Sequence, residues 1–386
     1  MRSVRCKVAI FYKNSCYNIA MKHKLLMVLG PTEVERDILE IASQPQEYMR
    51  TDDYTSKWLK IFEGLKYCFQ TQNTVVVMAS SGTGAMEAAV TNFLSKNDTA
   101  IYINGGSFGK RWGDICKKHK INTVEISVPF GESPNPKTVE EILKQNPNSK
   151  AVFATLNETS SGALTDIKSI GEVVKQFPET LFIVDCVSGL LADEFLQDEW
   201  GVDVAVSASQ KAFALPPGLG FLSANEKALE FAQKSDLRNF YFDIFDYVNN
   251  AKRGQTPFTP AVSLVNQLDK RLEKIQKEGL KNFRTRYKQN TEILRKGLES
   301  LGFKLLAKTP ANCVSAVMTN DIDASLVVKI MREKYNIEIA PSGGDLKTKL
   351  FRIGNYGDVG EDEINQCLNA LKKVKEELYA NKSLHR

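Results

Sequence analysis

Between residues 74 and 225 the sequence alternates short apolar, β-branched runs with amphipathic stretches of helical length. Such runs are typical of parallel strands buried on both faces, and the intervening stretches are typical of the helices that cover them. The predicted strands are 74–79, 100–104, 123–128, 151–155, 181–185, 202–207 and 220–223, and the predicted helices include 85–94, 111–120, 138–145 and 167–177. The pattern predicts an α/β fold with a mainly parallel seven-stranded sheet and helices on both faces.

The C-terminal third of the chain has a pattern of its own. After the Pro- and Thr-rich segment 256–260, a highly charged helical pattern runs from about residue 261 to Leu301-Gly302, a pair that commonly ends helices. We interpret this pattern as a bridge between two domains. Beyond it, the sequence predicts a smaller α+β domain, with strands at 312–318, 337–340 and 350–353 and helices at 324–334 and from Glu361 onward.

A chain of 386 residues favours about two domains. We expect a large domain over residues 26–275 and a small C-terminal domain over residues 276–386. The first roughly 20 residues of the large domain can pack on the small one, as a terminal segment often does. Residues 1–25 are interpreted as a basic tail.

The formal net charge is +5, and the six basic residues of this tail precede the first acid, Glu33; without them the rest of the chain is almost neutral. A basic tail differs from the basic face that nucleic-acid binding needs, so no nucleic-acid partner is expected. The apolar run 8–12 is shorter than the core of a signal peptide, and Met21 and Met27, just before the first segment expected to fold, are candidate alternative starts. No apolar stretch approaches the roughly 20 residues that span a bilayer, so no membrane association is expected.

Seven cysteines are scattered along the chain, and none forms a C-x-x-C pair. An odd, dispersed set is typical of neither a disulfide framework nor a zinc site. We therefore predict a reducing, cytoplasmic location and no bound metal.

A turn of small residues follows the first predicted strand of the sheet. Ser81-Gly82-Thr83-Gly84 opens a helix there, and such a helix start offers free N–H groups and a partial positive charge to an anion. The turn has neither the Walker signature nor the G-x-G-x-x-G signature. A phosphate site and an ordinary strand-to-helix turn are both open interpretations at this point.

Two titratable residues follow later strands, at the sheet edge where ligands of open parallel sheets gather. Asp185 ends the run 181–185, where a carboxylate can hold a protonated ring nitrogen or simply cap a helix. Lys211 follows 26 residues later, which leaves room for one crossover and another strand. A buried lysine with a lowered pKa suits Schiff-base chemistry, although most lysines after strands are solvated.

Arg352 lies within an otherwise apolar strand predicted for the small domain. A guanidinium group binds a carboxylate through two parallel hydrogen bonds, so this arginine is a candidate for holding a substrate carboxylate. A structural salt bridge is the alternative interpretation.

The order of these features along the chain resembles one known family. A phosphate turn, an acidic strand end, a lysine after a later strand, a Pro/Thr segment and an arginine in a second domain are arranged as in class V, fold-type I aminotransferases. The similarity is greatest to the alanine–glyoxylate and serine–pyruvate aminotransferase group. It covers the chain from about Leu26 to its end, and Ser209-Gln210-Lys211-Ala212 with Pro216-Pro217-Gly218 is its most specific part.

The resemblance implies pyridoxal 5′-phosphate as cofactor and a set of residues that hold it. Lys211 would form the internal aldimine and act as the catalytic base, and Asp185 would pair with the pyridinium nitrogen. Phe108 would stack on the ring, where the family more often has tryptophan. The implied cofactor-binding residues are Ser81, Gly82, Thr83, Phe108, Ser160, Asp185, Gln210, Lys211, Thr256 and Thr259.

The same resemblance implies a substrate pocket and a homodimer. Gly30, Ser160 and Arg352 would contact the substrate, with Arg352 as the carboxylate anchor. Thr256 and Thr259 would reach the phosphate bound by the neighbouring subunit, so the active sites would be shared. The implied reaction moves an amino group from a small amino acid, such as alanine or serine, to glyoxylate or pyruvate.

Three other functions remain open from the sequence. A lyase or desulfurase of the same fold would need a cysteine nucleophile in a mobile loop, and neither Cys186 nor Cys313 lies in a loop of that kind. A 2-aminoethylphosphonate aminotransferase would share the phosphate turn and Lys211. A catalytically silent binding protein would be expected to have lost Lys211 or Asp185, and both are present.

Overall fold

Two β-sheets organise the protein, in a computed structural model that describes residues 24–384. Residues 1–23, which include most of the predicted basic tail, and residues 385–386 lie outside the described residues. The strands are β1 (Leu25–Met27), β2 (Thr74–Ala79), β3 (Thr99–Asn104), β4 (Asn122–Ser127), β5 (Ala151–Thr155), β6 (Asn157–Glu158), β7 (Ala163–Leu164), β8 (Leu181–Asp185), β9 (Val204–Ala208), β10 (Leu219–Ala224), β11 (Lys304–Leu305), β12 (Val314–Met318), β13 (Ile337–Pro341) and β14 (Leu350–Gly354). The helices are α1 (Arg36–Ile41), α2 (Asp52–Phe69), α3 (Gly82–Phe93), α4 (Ser107–Lys118), α5 (Pro136–Gln145), α6 (Ile167–Val174), α7 (Glu226–Lys234), α8 (Ile244–Ala251), α9 (Val262–Glu278), α10 (Leu280–Ser300), α11 (Ala324–Tyr335) and α12 (Glu361–Leu384).

The larger sheet has seven strands in the order β2-β10-β9-β8-β5-β3-β4. All neighbours run parallel except β10, which is antiparallel to both β2 and β9. The seven predicted runs are these seven strands, with bounds that differ by two residues at most. The predicted fold class is therefore confirmed.

The central strands of this sheet are buried on both faces. Every residue of β5, β8 and β9 is buried. Alternate residues of β8 pack into different hydrophobic clusters, with Phe182 and Val184 on one side and Leu181 and Ile183 on the other. Because side chains alternate across a strand, helices must cover both faces, and a continuous apolar run is the result.

The smaller sheet has the order β1-β13-β14-β12-β11 and packs against α10, α11 and α12. Its edge strand β1 comes from the start of the described chain and pairs in parallel with β13, with Leu25 opposite Ile337 and Met27 opposite Ile339. The chain then passes from this sheet to the lysine-bearing loop of the larger one. The domain boundaries at residues 25/26 and 275/276 stay a prediction, and the second falls in the last turn of α9.

The charged pattern over residues 261–301 forms two helices, α9 and α10, rather than one continuous element. Gly279 separates them with a φ of +80°, a backbone conformation that residues with a Cβ rarely adopt. The predicted end at Leu301-Gly302 is confirmed, since α10 stops at Ser300 and Gly302 has a φ of +75°. The pair joins the two sheets because α9 packs on α2 and α10 packs on α12.

Five cysteines lie within the described residues, and all five are free and buried: Cys68, Cys116, Cys186, Cys313 and Cys367. Over residues 24–384 no helix combines the length and apolar character that crossing a membrane requires. The same residues contain no group of three or more histidine, cysteine and acidic side chains that is arranged to hold a metal ion.

Candidate active site

Lys211 lies in the loop that leaves β9, at the carboxyl edge of the larger sheet. The Ser209 hydroxyl closes this loop by donating to the Pro216 carbonyl at 2.8 Å and accepting from the Leu219 N–H at 3.2 Å. The Lys211 carbonyl accepts from the Ala214 N–H at 2.8 Å. These bonds fix the backbone from which the lysine side chain extends.

The amine of Lys211 is enclosed, and only 8% of the residue is exposed. Its Nζ donates to the Leu29 carbonyl and lies 5.7 Å from the centroid of the Tyr356 ring. Burial lowers the pKa of Lys211 to about 8, and the positive charges of Arg352 and Arg111 act in the same direction. Roughly a tenth of the amine is therefore neutral at pH 7, and this neutral form is the one that a nucleophile or proton acceptor requires.

Gly30 packs directly against this lysine. A Cβ at residue 30 would lie 3.0 Å from the Gln210 carbonyl oxygen and 3.1 Å from Lys211 Cδ. The residue also has a φ of +117°, which favours glycine. The structure thus brings the predicted pocket residue Gly30 into contact with Lys211.

Asp185 ends β8 and is paired in register with Thr155 on one side and Val206 on the other. It is 3% exposed, and its Oδ1 accepts from the Val187 N–H at 2.8 Å. Burial raises the pKa of Asp185 to about 6, against the lowering effect of the Val187 hydrogen bond. No hydrogen bond to the other carboxylate oxygen occurs within the described part of the chain, so that oxygen can accept from a bound group.

The small-residue turn packs against the strand ends that carry Asp185 and Lys211. Ser81 caps α3 by accepting from the Gly84 N–H at 3.2 Å. A Cβ on Gly82 would lie 2.8 Å from Val187 Cγ2 and 3.3 Å from Ala208 Cβ, so the close approach requires glycine. The remaining N–H groups of the first helical turn have no partner within the helix. The turn, the aspartate and the lysine thus meet at one edge of the sheet, as predicted.

Phe108 and Ser160 lie at the start of α4, where a buried glutamate organises the backbone. The Glu158 carboxylate accepts from the N–H groups of Phe108 and Gly109, at 3.1 and 2.9 Å. Ser160 donates its hydroxyl to Glu158 and accepts from the Ser107 N–H at 3.1 Å. Ser160 therefore helps to hold α4, and its predicted contact with cofactor and substrate stays a prediction.

Sequence reasoning missed both Glu158 and Arg111. Arg111 donates from Nη1 to the Thr83 hydroxyl at 3.0 Å and covers the Phe108 ring, with Cζ 4.7 Å from the ring centroid. Arg111 is close to Phe108 in the helix, but nothing in the sequence indicates its contact with Thr83 on α3. Glu158 lies about 50 positions from the helix it caps, so no local signal could have identified it.

Arg352 reaches from β14 of the smaller sheet towards the larger one. Its Nη2 donates to the Pro341 carbonyl at 2.7 Å, and Nη1 donates to the Thr159 carbonyl at 3.3 Å. Its Nε is buried without a hydrogen-bond partner among the described residues, and burial lowers the pKa of the guanidinium against the opposing effect of Glu158. Within residues 24–384 no carboxylate lies at ion-pair distance from Arg352, so the salt-bridge alternative is not supported.

A buried polar network lies beneath Lys211 and joins the two sheets. The Cys313 thiol donates to the Ser188 carbonyl at 3.1 Å and accepts from Asn157 Nδ2 at 3.1 Å. The Tyr356 hydroxyl donates to the same Ser188 carbonyl at 2.9 Å. These bonds fix the Tyr356 ring that faces the lysine, and the sequence contains no signal for them.

Thr256 and Thr259 lie in the segment between α8 and α9. Thr256 donates its hydroxyl to the Phe258 carbonyl at 2.8 Å, whereas Thr259 is exposed. Both line a narrow recess beside Ala79 and Leu219, at the edge formed by β2 and β10. Their contacts lie along this edge, and their predicted role towards a neighbouring subunit stays a prediction.

Comparison with known proteins identifies the family. Residues 43–347 match the family model described as aminotransferase class-V. The chain is 37% identical over 363 residues to a protein of a Synechococcus species named soluble hydrogenase, small subunit, with 92% of this chain and 94% of the relative covered. It is 34% identical over 343 residues to the L-aspartate–glyoxylate aminotransferase of Paracoccus denitrificans, with 86% of each chain covered.

A solved structure agrees with the sequence comparison. The alanine–glyoxylate aminotransferase of a Nostoc species superposes with a TM-score of 0.88 at 26% identity, covering 91% of this chain and 95% of the other. The fold, the family match and these relatives agree with the resemblance seen in the sequence. The chain belongs to the class V aminotransferase family and is a pyridoxal 5′-phosphate-dependent aminotransferase.

Proposed function

We propose that the protein transfers the amino group of a small amino acid, such as alanine or serine, to glyoxylate or pyruvate, with Lys211 as the residue that holds the cofactor. The observation that carries this proposal is the placement of Arg352. Its guanidinium has no carboxylate partner among the described residues, and its charge acts on the buried Lys211 amine. A carboxylate bound there would place a small substrate beside that amine. The names of the Paracoccus and Nostoc relatives support a glyoxylate acceptor.

The residues around Lys211 fit pyridoxal phosphate. Asp185 offers a buried carboxylate oxygen that lacks a hydrogen bond within residues 24–384, which suits a protonated ring nitrogen. The side-chain amide of Gln210 carries an NH2 group that can donate to a phosphate oxygen, and the Ser81 turn presents a helix start. When bound, the cofactor supplies an electron sink that makes the α-proton of an amino acid acidic.

Each of three residues, Arg352, Asp185 and Lys211, would then have its own role in the reaction. Arg352 orients the substrate carboxylate, and Asp185 keeps a positive charge at the ring nitrogen. Lys211 would accept the α-proton of the donor at Nζ, and in the reverse half-reaction it would donate a proton from Nζ to the α-carbon of the acceptor. A pKa of about 8 suits this role, because both protonation states are populated near neutral pH.

Replacing Arg352 tests the carboxylate anchor. For Arg352→Gln we expect kcat/KM for alanine and serine to fall about 10²-fold, because a partly buried charge pair with the substrate is lost. Single-turnover absorbance changes with each donor measure this. The matched control is Arg332→Gln, which removes an exposed arginine paired with Glu338 at 2.7 Å. An equal loss with amine donors that lack a carboxylate would contradict the proposed role.

A panel of donors separates this proposal from its rivals. Turnover of 2-aminoethylphosphonate, but not of alanine or serine, would favour a phosphonate aminotransferase. Release of sulfide from cysteine would favour a desulfurase, although every described cysteine is buried and burial raises the pKa of both Cys186 and Cys313. If the protein shows no cofactor absorbance and borohydride fixes no cofactor at Lys211, a catalytically silent binding protein would be favoured.

A homodimer with shared active sites is part of the proposal. Thr259 is exposed beside an aromatic surface that includes Phe240, 82% exposed, and Tyr241, whose ring stacks on Phe258. Large exposed aromatic side chains of this kind are enriched in protein interfaces. A partner subunit that covers this surface would bury it and receive Thr259 in its own site.

Replacing Thr259 tests the shared site. We expect Thr259→Val to weaken cofactor binding about 10-fold through loss of a hydrogen bond to a charged group, without a change in the melting temperature of the apo-protein. Each hybrid dimer of a Thr259→Val subunit with a Lys211→Ala subunit should have one site with wild-type cofactor affinity. That site combines the intact lysine of the first subunit with the intact threonine of the second. A monomeric protein, or hybrids without a tight site, would contradict sharing.

A further inference from the structure

The predicted phosphate site lacks a positive charge among its predicted ligands. Ser81 and Thr83 offer hydroxyl groups, Gly82 offers a backbone N–H, and Gln210 offers an amide. A phosphate monoester carries a charge of about −1.5 to −2 at neutral pH. A helix start supplies only a partial positive charge, so a full cation at this turn would bind the phosphate more strongly.

Among the described residues, Arg111 is a cation that contacts this turn. Its Nη1 donates to the Thr83 hydroxyl at 3.0 Å, and its guanidinium lies over the Phe108 ring. The adjacent Lys110 differs, because it pairs with Asp114 at 2.6 Å. No carboxylate within the described ranges lies at ion-pair distance from Arg111.

The electrostatics place the Arg111 charge within reach of the proposed catalytic groups. Beside the larger effect of burial on each, the guanidinium acts to lower the pKa of both Asp185 and Lys211. Arg111 therefore adds positive charge to the crevice in which those two side chains lie. A cation in that position, with no acidic partner in the described part of the chain, suits an anion bound in the crevice.

We propose that Arg111, together with Thr83, binds the phosphate group of the cofactor. The Thr83 hydroxyl accepts from Arg111, so its own proton is available for a phosphate oxygen. The remaining guanidinium N–H groups can donate to a second oxygen. This inference rests on the proposed attachment of the cofactor at Lys211 and adds a phosphate ligand to it.

Pyridoxal phosphate and pyridoxal, which lacks the phosphate, together test this role. For Arg111→Gln we expect the dissociation constant for pyridoxal phosphate to rise roughly 10- to 100-fold, as expected when a hydrogen-bonded charge partner is removed. The dissociation constant for pyridoxal should stay within about twofold of wild type, since that ligand has no phosphate to lose. Absorbance titrations of the full-length apo-protein provide both constants.

Variants of neighbouring residues provide the controls. Lys110→Gln removes the same charge one position away and should leave both dissociation constants unchanged. Thr83→Val should weaken pyridoxal phosphate binding by a smaller factor than Arg111→Gln. Inorganic phosphate should raise the melting temperature of wild-type apo-protein and of Lys110→Gln, and raise that of Arg111→Gln less.

Three outcomes would overturn the inference. Equal weakening of pyridoxal and pyridoxal phosphate would show that Arg111 acts on the fold or on the ring. Unchanged cofactor binding with a higher KM for aspartate, but not for alanine, would assign Arg111 to a distal substrate carboxylate. Failure of the wild-type protein to bind pyridoxal phosphate at Lys211 would overturn the proposed cofactor attachment together with this inference.

Discussion

Lys211→Ala will lower the rates of both half-reactions by at least about 10³-fold, because the substitution removes the group proposed to move the α-proton. The same variant should no longer retain cofactor after borohydride reduction, since the reducible covalent bond requires the Lys211 amine. Pre-steady-state absorbance and intact-protein mass spectrometry measure the two effects. Among the described residues, Nζ of Lys211 is the buried amine at this edge of the sheet.

The control for Lys211→Ala separates chemistry from folding. The variant loses the hydrogen bond to the Leu29 carbonyl but also loses a buried amine whose charged form burial destabilises. We therefore expect the apo-protein to remain folded, with an unchanged circular dichroism spectrum. Small added amines should restore part of the proton transfer. Retention of more than a tenth of the wild-type rate would contradict the role of Lys211.

Asp185→Asn should lower the rate of α-proton removal about 10²- to 10³-fold while cofactor still attaches to Lys211. Asparagine has the same shape and can keep the hydrogen bond from the Val187 N–H, so the change is chiefly one of charge. The ring nitrogen then loses the anion that favours its protonated form. Single-turnover kinetics with alanine measure the loss, and an unchanged rate would contradict the pairing.

The same substitution should stabilise the apo-protein above pH 6. The pKa of Asp185 is raised by burial from its usual 3.8 to about 6, so its contribution to stability is present below pH 3.8 and is lost as the pH rises through 6. Asp185→Asn escapes that loss, and we expect its free energy of unfolding at pH 7.5 to exceed that of wild type by up to about 3 kcal/mol. Urea denaturation of both proteins at pH 4 and pH 7.5 tests this. A difference in the free energy of unfolding between Asp185→Asn and wild type that does not increase with pH would contradict it.

The sheet and the meeting of its three motifs could be predicted because both depend on local patterns. Strands buried on both faces produce continuous apolar runs, so all seven strands of the larger sheet were identified within two residues. Residues after parallel strands share one edge, which brings Asp185, Lys211 and the Ser81 turn together. The roles of these side chains came from the resemblance to a family, since each has a structural alternative on its own.

The rest of the site depends on contacts between distant parts of the chain. Glu158 caps a helix about 50 positions away, and Arg111 meets Thr83 28 positions earlier. The network of Cys313 and Tyr356 with Ser188 joins two sheets. Periodicity and composition report which face of an element is buried, but they do not identify the partner across the interface. The break at Gly279 could be suspected from the glycine, but helices also tolerate an isolated glycine.

The first strand of the smaller sheet leads directly to the backbone that contacts Lys211. β1 belongs to the smaller sheet, yet the Leu29 carbonyl two residues beyond it accepts the hydrogen bond of the Lys211 amine. Arg352 lies two strands away in that same sheet. A rigid rotation of this sheet on the larger one would therefore shift Arg352, the proposed carboxylate anchor, together with the Leu29 carbonyl that holds the lysine. Binding of a substrate carboxylate at Arg352, as proposed, would then be coupled to loss of the hydrogen bond between Lys211 and the Leu29 carbonyl.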